Sequence, residues 1–320
     1  MYTLNRILLA SDFSASADAA LLYATAWARL SQARLLVLHV IDTRVTALPH
    51  WTDIFRSTEV FAARDAAAAD ALQRLRSHPA VAGLQVDVLA QHGTPRTHIV
   101  DTAAHVDLVV MGIGRGAGEN RHRTGKIAQY VAHNSPVPVL FVPQGGGSAG
   151  LPPAGSTRLP FRHILLALHF AQYAPQAIIL SQQLAAMCHA SLQALQVLEP
   201  DKITSYPLDA GTGLYHNRDA VKILLRKRLA EIIPDDPSAP RLERLLLEGN
   251  PAEVIVQQSI ERQADLVVMS AHAYGLLQKF FNVSTVDIVL EQAPCPILAV
   301  PLSSPNAPLP TVGTAYASAG

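Results

Sequence analysis

Four short segments of this 320-residue chain occur twice, in one order and at a nearly constant distance, and that self-similarity limits the possible folds more than any other feature. RILLA at 6–10 returns as HILLA at 163–167, an offset of 157. HGTP at 92–95 returns as EGNP at 248–251, an offset of 156. DLVVM at 107–111 recurs unchanged at 265–269, and PVLFVP at 138–143 recurs as PILAVP at 296–301, both offset by 158. Four ordered landmarks at matched spacing indicate a tandem duplication with a unit of about 140–145 residues. The length suffices for two domains of ordinary size, each burying its own core.

Between the copies, residues 144–160 read QGGGSAGLPPAGSTRLP, a Gly, Ser and Pro run without the periodicity of a packed element, and the segment reads as a linker. It contains a formal G-x-S-x-G at Gly146, Ser148 and Gly150, but that motif needs a strand before it and a helix after it, and here prolines follow. Residues 302–320 are similarly poor in apolar periodicity and are expected to be disordered. The expected plan is therefore a first domain at 1–143, a linker at 144–160, a second domain at 161–301 and a tail at 302–320.

Within each unit, short β-branched or Leu-rich runs alternate with longer amphipathic segments. In the first copy strands are predicted near 4–10, 34–41, 84–90, 107–111 and 137–142, and helices near 14–31, 52–77, 94–105 and 124–134. The second copy mirrors this, with strands near 162–168, 191–198, 241–248, 265–269 and 296–300. Strands alternating with helices imply right-handed crossovers and a parallel sheet covered on both faces, and uninterrupted apolar runs such as DLVVM suit doubly buried strands. Ligands of such α/β sheets bind beyond the carboxyl ends of strands, where strand order reverses, so function is to be sought after Ala10, Val40 and Met111.

Composition narrows the partners. Hydrophobic residues make up 49% and aromatics 6%, which fits an α/β core of Leu, Val, Ile and Ala. Lys plus Arg and Asp plus Glu each number 25, so no net field attracts a polyanion and nucleic acid is not an expected partner. The opening MYTLNRILLASDF lacks the basic, apolar and small-residue order of a secretory leader, and no run reaches about 18 apolar residues, so neither leader nor membrane span is expected. The two cysteines, Cys188 and Cys295, lie in apolar segments and fit a reduced, cytoplasmic setting without a structural disulfide.

Two strand ends carry the chemistry. After the first strand, in SDFS, Asp12 either caps the following helix or accepts hydrogen bonds from a ligand's amino or hydroxyl group. After the fourth strand comes GIGRGAGENRHRTGK, where Gly112, Gly114, Gly116 and Gly118 permit close backbone approach and positive φ. Arg115, Arg121, His122, Arg123 and Lys126 face a single acid, Glu119, and Gly125 and Lys126 open a helix whose amino end is partially positive. These features converge on phosphate, with a solvated surface loop as the plainer alternative. A Walker A loop does not fit, because Gly118 to Gly125 encloses six residues and Ile127 follows Lys126. A dinucleotide fingerprint is matched formally by Gly112, Gly114 and Ala117, but on the fourth strand rather than the first, and far from a helix start.

The segments ILLASDFS, LLVLHVID, HGTPRTHIV, DLVVMG and SPVPVLFVP together resemble the universal stress protein family, over roughly 1–143 and 161–301. The resemblance implies two tandem flavodoxin-like (adenine nucleotide alpha hydrolase-like) α/β domains, each a doubly wound sheet of five parallel strands. Some members bind ATP through a loop of form G-x2-G-x9-G-[ST]; others lack the loop and do not. Here Gly112 and Gly125 keep the outer glycines, while Arg115 stands at the middle glycine and Lys126 at the Ser/Thr. The resemblance assigns adenine contacts to Asp12 and Val40, and backbone contacts to Met111, Gly112 and Ile127. It also pairs the last strands across a dimer axis, either between two chains of a homodimer or between the halves of one chain as an intramolecular pseudo-dimer, which would cover an exposed sheet edge.

In the second copy the loop positions are Ser270, Ala273, Val283 and Ser284, all three glycines are gone, and His169 stands where Asp12 does. That copy is expected not to bind ATP in the family manner and to serve as a structural or partner-binding half. Three functions follow from these residues: an ATP-binding stress-response protein, a nucleotide-independent interaction scaffold with an unknown protein partner, or an enzyme of adenylyl or phosphoryl transfer. The last needs acidic Mg ligands beside the loop, for which Asp12 is the only obvious candidate, and with no poised nucleophile or base rapid hydrolysis is not expected. The thirteen histidines form no metal motif; His98 and His105 are seven apart and read as sharing a helix face at the surface. Arg218, Lys222 and Arg226 form a stripe that reads as solvated, and Cys295 as a small filler of the last strand.

Overall fold

A computed structural model of the chain describes residues 4–43, 53–114, 125–148, 150–168, 175–200, 218–234, 241–271 and 284–302. Its first half runs β1 (Arg6–Ala10), α1 (Ala15–Ser31), β2 (Arg34–Asp42), α2 (Asp53–Arg76), β3 (Val86–Gly93), α3 (Pro95–Ala103), β4 (Leu108–Ile113), α4 (Lys126–Asn134) and β5 (Val139–Pro143). The second runs β6 (His163–Leu168), α5 (Pro175–Cys188), β7 (Ser191–Leu198), α6 (Arg218–Ile232), β8 (Leu242–Glu248), α7 (Pro251–Glu261), β9 (Leu266–Ala271), α8 (Thr285–Gln292) and β10 (Ile297–Pro301). Of the predicted elements in the first half, β3 moves furthest at its far end, continuing through Gly93 because its pairing with β2 holds in register to Asp42↔Gly93.

All ten described strands join one sheet in the order β3-β2-β1-β4-β5-β10-β9-β6-β7-β8. Pairing is parallel within each half, and the halves meet where β5 and β10 run antiparallel, Phe141 opposite Ile297 and Val139 opposite Ala299. Each half alone would end in an apolar edge strand with unpaired backbone groups; the β5–β10 pairing removes both edges at once. The pleat sends alternate residues to opposite faces. Leu9, Val110 and Leu140 enter one core with Trp27 of α1, Leu72 of α2, Leu184 of α5 and Leu225 of α6. Leu8, Val109 and Phe141 enter the other with Ile99 of α3, Val131 of α4, Ile255 of α7 and Val289 of α8. Both cores run through the two halves without a break.

Two aspartates pin the repeat together in the same way. Asp107, just before β4, accepts hydrogen bonds through Oδ2 from the backbone N–H of Asn5 and Arg6 at 2.7 and 2.9 Å. Asp265, just before β9, does so from Arg162 and His163 at 2.8 and 3.0 Å. The first letter of each DLVVM is therefore a lock between neighbouring strands.

Residues 144–160 do more than connect. Tyr23 of α1 donates from its buried hydroxyl to the carbonyls of Gly146 and Gly150 at 3.3 and 2.9 Å, and Ser148 donates from Oγ to Ala264 O at 2.7 Å. Leu159 is buried in the core. The tail beyond Leu302 lies outside the described residues.

Candidate functional site

Within the first half, strand order runs outward from β1 in both directions, to β2 and β3 on one side and to β4 and β5 on the other. The crevice between the carboxyl ends of β1 and β4, where Ala10 lies beside Met111 in register, is the switch point of this sheet.

The turn after β1 is held in place by its own side chains. Ser14 is the N-cap of α1, its Oγ accepting from Ala17 N at 3.3 Å. Asp12 is not the cap: its Oδ1 accepts from Ser14 N at 3.0 Å and from Ser14 Oγ at 2.5 Å, so it orients the residue that caps. The cap reading of Asp12 is thus corrected: its exposed carboxylate closes an Asx turn. Phe13 takes φ +59°, the left-handed region, and its ring lies 4.5 Å from that of His39 on β2. His39 Nδ1 in turn lies 2.8 Å from Ser11 O. Ser11, Phe13 and His39 escaped the sequence reading; the signal was the cluster SDFSAS, whose polar side chains bond to neighbouring backbone.

Of the glycines after β4, Gly112 has a packing reason that the sequence did not show. A Cβ on Gly112 would lie 2.3 Å from Ser16 C and 2.4 Å from Ser16 O, so only glycine lets β4 pass the first turn of α1. None of Gly112, Gly114 and Gly125 has positive φ, which corrects the expectation that conformational freedom selects them. A Cβ on Gly114 would come no nearer than 3.9 Å to Ser16 Oγ, and one on Gly125, at φ −60° and ψ 139°, would meet open space. Arg115 lies outside the described residues, as do Gly116, Gly118, Glu119, Arg121, His122 and Arg123.

At α4, Gly125 is the N-cap and offers no side-chain hydrogen bond, the first turn carries no acid, and exposed Lys126 is its first residue. The free N–H groups and a cation thus lie at the same end of one helix. Val40 is half-buried on β2 opposite Gln91, Met111 is buried, and Ile127 packs half-buried against the same core face as Val40.

The second half differs at each matching point. Ser270 occupies the place of Gly112, and α5 starts only at Pro175. Ser284 caps α8, its Oγ accepting from Val286 N at 3.3 Å, and Asp287 lies in the first turn. His169, Ala273 and Val283 lie outside the described residues.

Other candidates resolve as structure. Ser148 of the G-x-S-x-G run is tied to Ala264 O and serves the linker. His98 and His105 do not share a helix, since α3 ends at Ala103. Arg218 and Lys222 are not merely solvated: both pair with Glu248 at the end of β8, Lys222 at 2.5 Å. His133, which the sequence did not single out, is buried on α4, its Nε2 3.0 Å from Oδ1 of buried Asp287 on α8. Gln129 and Glu291, 3.3 Å apart, occupy the repeat-related positions of that pair. Neither cysteine forms a disulfide; Cys295 is buried, and burial pushes the Cys188 thiol up to about 11. Among the described residues no three His, Cys, Asp or Glu side chains could together hold a metal ion, and no helix is long and apolar enough to cross a membrane.

Fold and sequence together define the class. The profile of the universal stress protein family matches residues 3–143 and again 160–301, and the chain belongs to that family as a tandem member. A universal stress protein of Thermus aquaticus, described by its place 3′ of a QAH/OAS sulfhydrylase, is 33% identical over 144 residues, covering 44% of this chain and 98% of that one. The structure of a universal stress protein from Archaeoglobus fulgidus superposes with a TM-score of 0.62 at 18% identity, over 93% of this chain and 99% of that chain. A functionally unknown protein from Pseudomonas aeruginosa PAO1 gives 0.60 at 17% identity, over 94% of both chains. At these identities the two structures bear on the fold alone.

Proposed function

We propose that the chain is a cytoplasmic stress-response protein that binds ATP or a related adenine nucleotide in its first half and uses its second half as a structural or partner-binding unit. The observation that carries this reading is the amino end of α4, which lacks a side-chain cap, faces open space at Gly125 and bears Lys126, whereas α8 is closed by its own Ser284. An anion at such a helix end gains about 0.3–2 kcal/mol from the dipole, and a lysine contact to phosphate adds to it. In this reading Gly112 and Gly114 keep the crevice wall free of side chains, the backbone of Met111 and Ile127 and the side chain of Val40 border the base, and the outward carboxylate of Asp12 receives a donor from it. Among the described residues, Asp12 would reach a magnesium ion carried in by the phosphates, a ligand set of one carboxylate plus phosphate oxygens that suits Mg²⁺. Among the described residues of the crevice none is placed as nucleophile or general base, and binding rather than turnover is the proposed role. Isothermal titration of the full chain with ATP tests this: one site in the wild type and at least a tenfold loss in Gly125→Val support it, and no binding, or equal binding by both, removes it.

A second reading is a nucleotide-independent scaffold. Lys126 at the position of the family's hydroxyl, and the commitment of Asp12 Oδ1 to Ser14, favour it. Partners recovered from a lysate in equal amount before and after ATP depletion, by wild type and by a Gly112–Gly125 loop deletion alike, would support the scaffold.

A further inference from the structure

An apolar cavity of about 340 Å³ lies between the halves, walled chiefly by Leu4, Trp27, Pro138, Leu180, Leu184 and Met187, with Gln183 as its one polar side chain. Its position follows from the duplication. The repeat offset carries Leu4 to Phe161, Leu180 to Tyr23 and Pro138 to Pro296. These three counterparts surround a site on the opposite side of the pseudo-twofold, and that site is filled by the linker. Tyr23 donates to Gly146 O and Gly150 O and stacks on Phe161 at 5.8 Å, and burial pushes its hydroxyl pKa up, keeping it a donor. Gly147 lies so close to the segment before β10 that an added Cβ would be 2.6 Å from Cys295 Cα and 3.2 Å from Pro296 Cδ. The segment leaving β5 thus covers the root of β10, and symmetry asks what leaves β10 to cover the root of β5.

The sequence answers in kind. At the offset of 158 that relates β5 to β10, SAGLPPAG at 148–155 falls on NAPLPTVG at 306–313, with Ala149/Ala307, Leu151/Leu309, Pro152/Pro310 and Gly155/Gly313 identical. The duplication therefore extends past β10 into the tail. The differences are matched to the wall. Where the linker offers glycine carbonyls to a tyrosine hydroxyl, the tail carries Pro305 and Pro308 at the positions of Gly147 and Gly150, and the wall carries Leu180 in place of Tyr23. Gly147 and Gly150 take φ +78° and +73°, values closed to proline, so a segment with prolines at these positions cannot copy the linker's loop. Leu302, the last described residue, already packs against the Trp27 core.

We propose that the cavity bounded by Trp27, Pro138 and Leu184 is the docking site of this chain's own segment Ser303–Gly313, which seats Leu309 and its flanking prolines there, Pro310 standing at the repeat position of the linker's buried Pro152. Burial of those side chains supplies the driving force, and tethering at Leu302 supplies a high effective concentration.

The test uses the neutral apolar dye N-phenyl-1-naphthylamine with the full chain in a Trp51→Phe background, reading energy transfer from Trp27. The wild-type tail should exclude the dye. Leu309→Asp, and a chain ending at Leu302, should each raise transfer by about tenfold, and a synthetic Ser303–Gly313 peptide should suppress it again. Equal transfer in all three chains, high or low, overturns the proposal, as does a peptide without effect; dye held equally by all three would mark the cavity as a site for an external apolar ligand.

Discussion

The ends of β4 and β9 carry the same strand into two different surroundings. In the first half Gly112 passes within touching distance of Ser16 and the next helix starts without a side-chain cap, with Lys126 as its first residue. In the second half Ser270 takes the glycine's place and α8 is closed by Ser284 with Asp287 behind it. A duplicated unit must keep its strands, because both faces of every central strand are buried, but it need keep only one open helix end. The contrast teaches that the sheet and the crevice answer to separate constraints, and it can be broken at several places.

The largest effect is expected at Gly112. Gly112→Ala drives a Cβ into backbone atoms of α1 and should cost about 3 kcal/mol, whereas Ser270→Ala should stay within about 0.5 kcal/mol; urea midpoints of the two variants check this. Next, His133→Ala removes the hydrogen-bonding partner of buried Asp287 and should cost about 2 kcal/mol, while Gln129→Ala, at the half-exposed repeat-related pair, should cost under about 1 kcal/mol. Equal losses would mean that the two contacts across the α4–α8 crossing are equivalent after all. Lys126→Ala should weaken ATP binding about tenfold and flatten its salt dependence, with Ser284→Ala leaving the affinity unchanged. The smallest effect belongs to the strand ends. Hydrogen bonding from Lys222, then from Arg218, holds the Glu248 carboxyl below its ordinary 4.5. Its contribution is therefore full above about 4.5 and lost as pH falls through the lower folded value. An acid titration of thermal midpoints should show Glu248→Gln less stable than wild type at pH 7 and converging with it at low pH.

Much of this fold was legible because duplication supplies an internal control. A strand such as LVVM that recurs at a fixed offset is fixed by burial on both faces, and its neighbours follow from alternation with helices. The crevice was located for a related reason, since strand order places it after Ala10 and Met111. Its workings were less legible. Gly112 reads from sequence as a flexible loop residue, but its reason is a backbone contact with Ser16, almost a hundred positions away in the chain, and such contacts leave no local pattern. Ser14 rather than Asp12 caps α1, because either residue type can cap and only the turn geometry decides. His133 was missed since a histidine buried against an aspartate on the opposite half has no signature in its own helix.

The account stands on the first half being the nucleotide-binding one. Titrating the full chain with ATP beside Gly125→Val and Val283→Gly measures this most directly. One equivalent of ATP per wild-type chain, weakened at least tenfold by Gly125→Val and untouched by Val283→Gly, is the predicted result; two equivalents, none, or an affinity unchanged by Gly125→Val would contradict it.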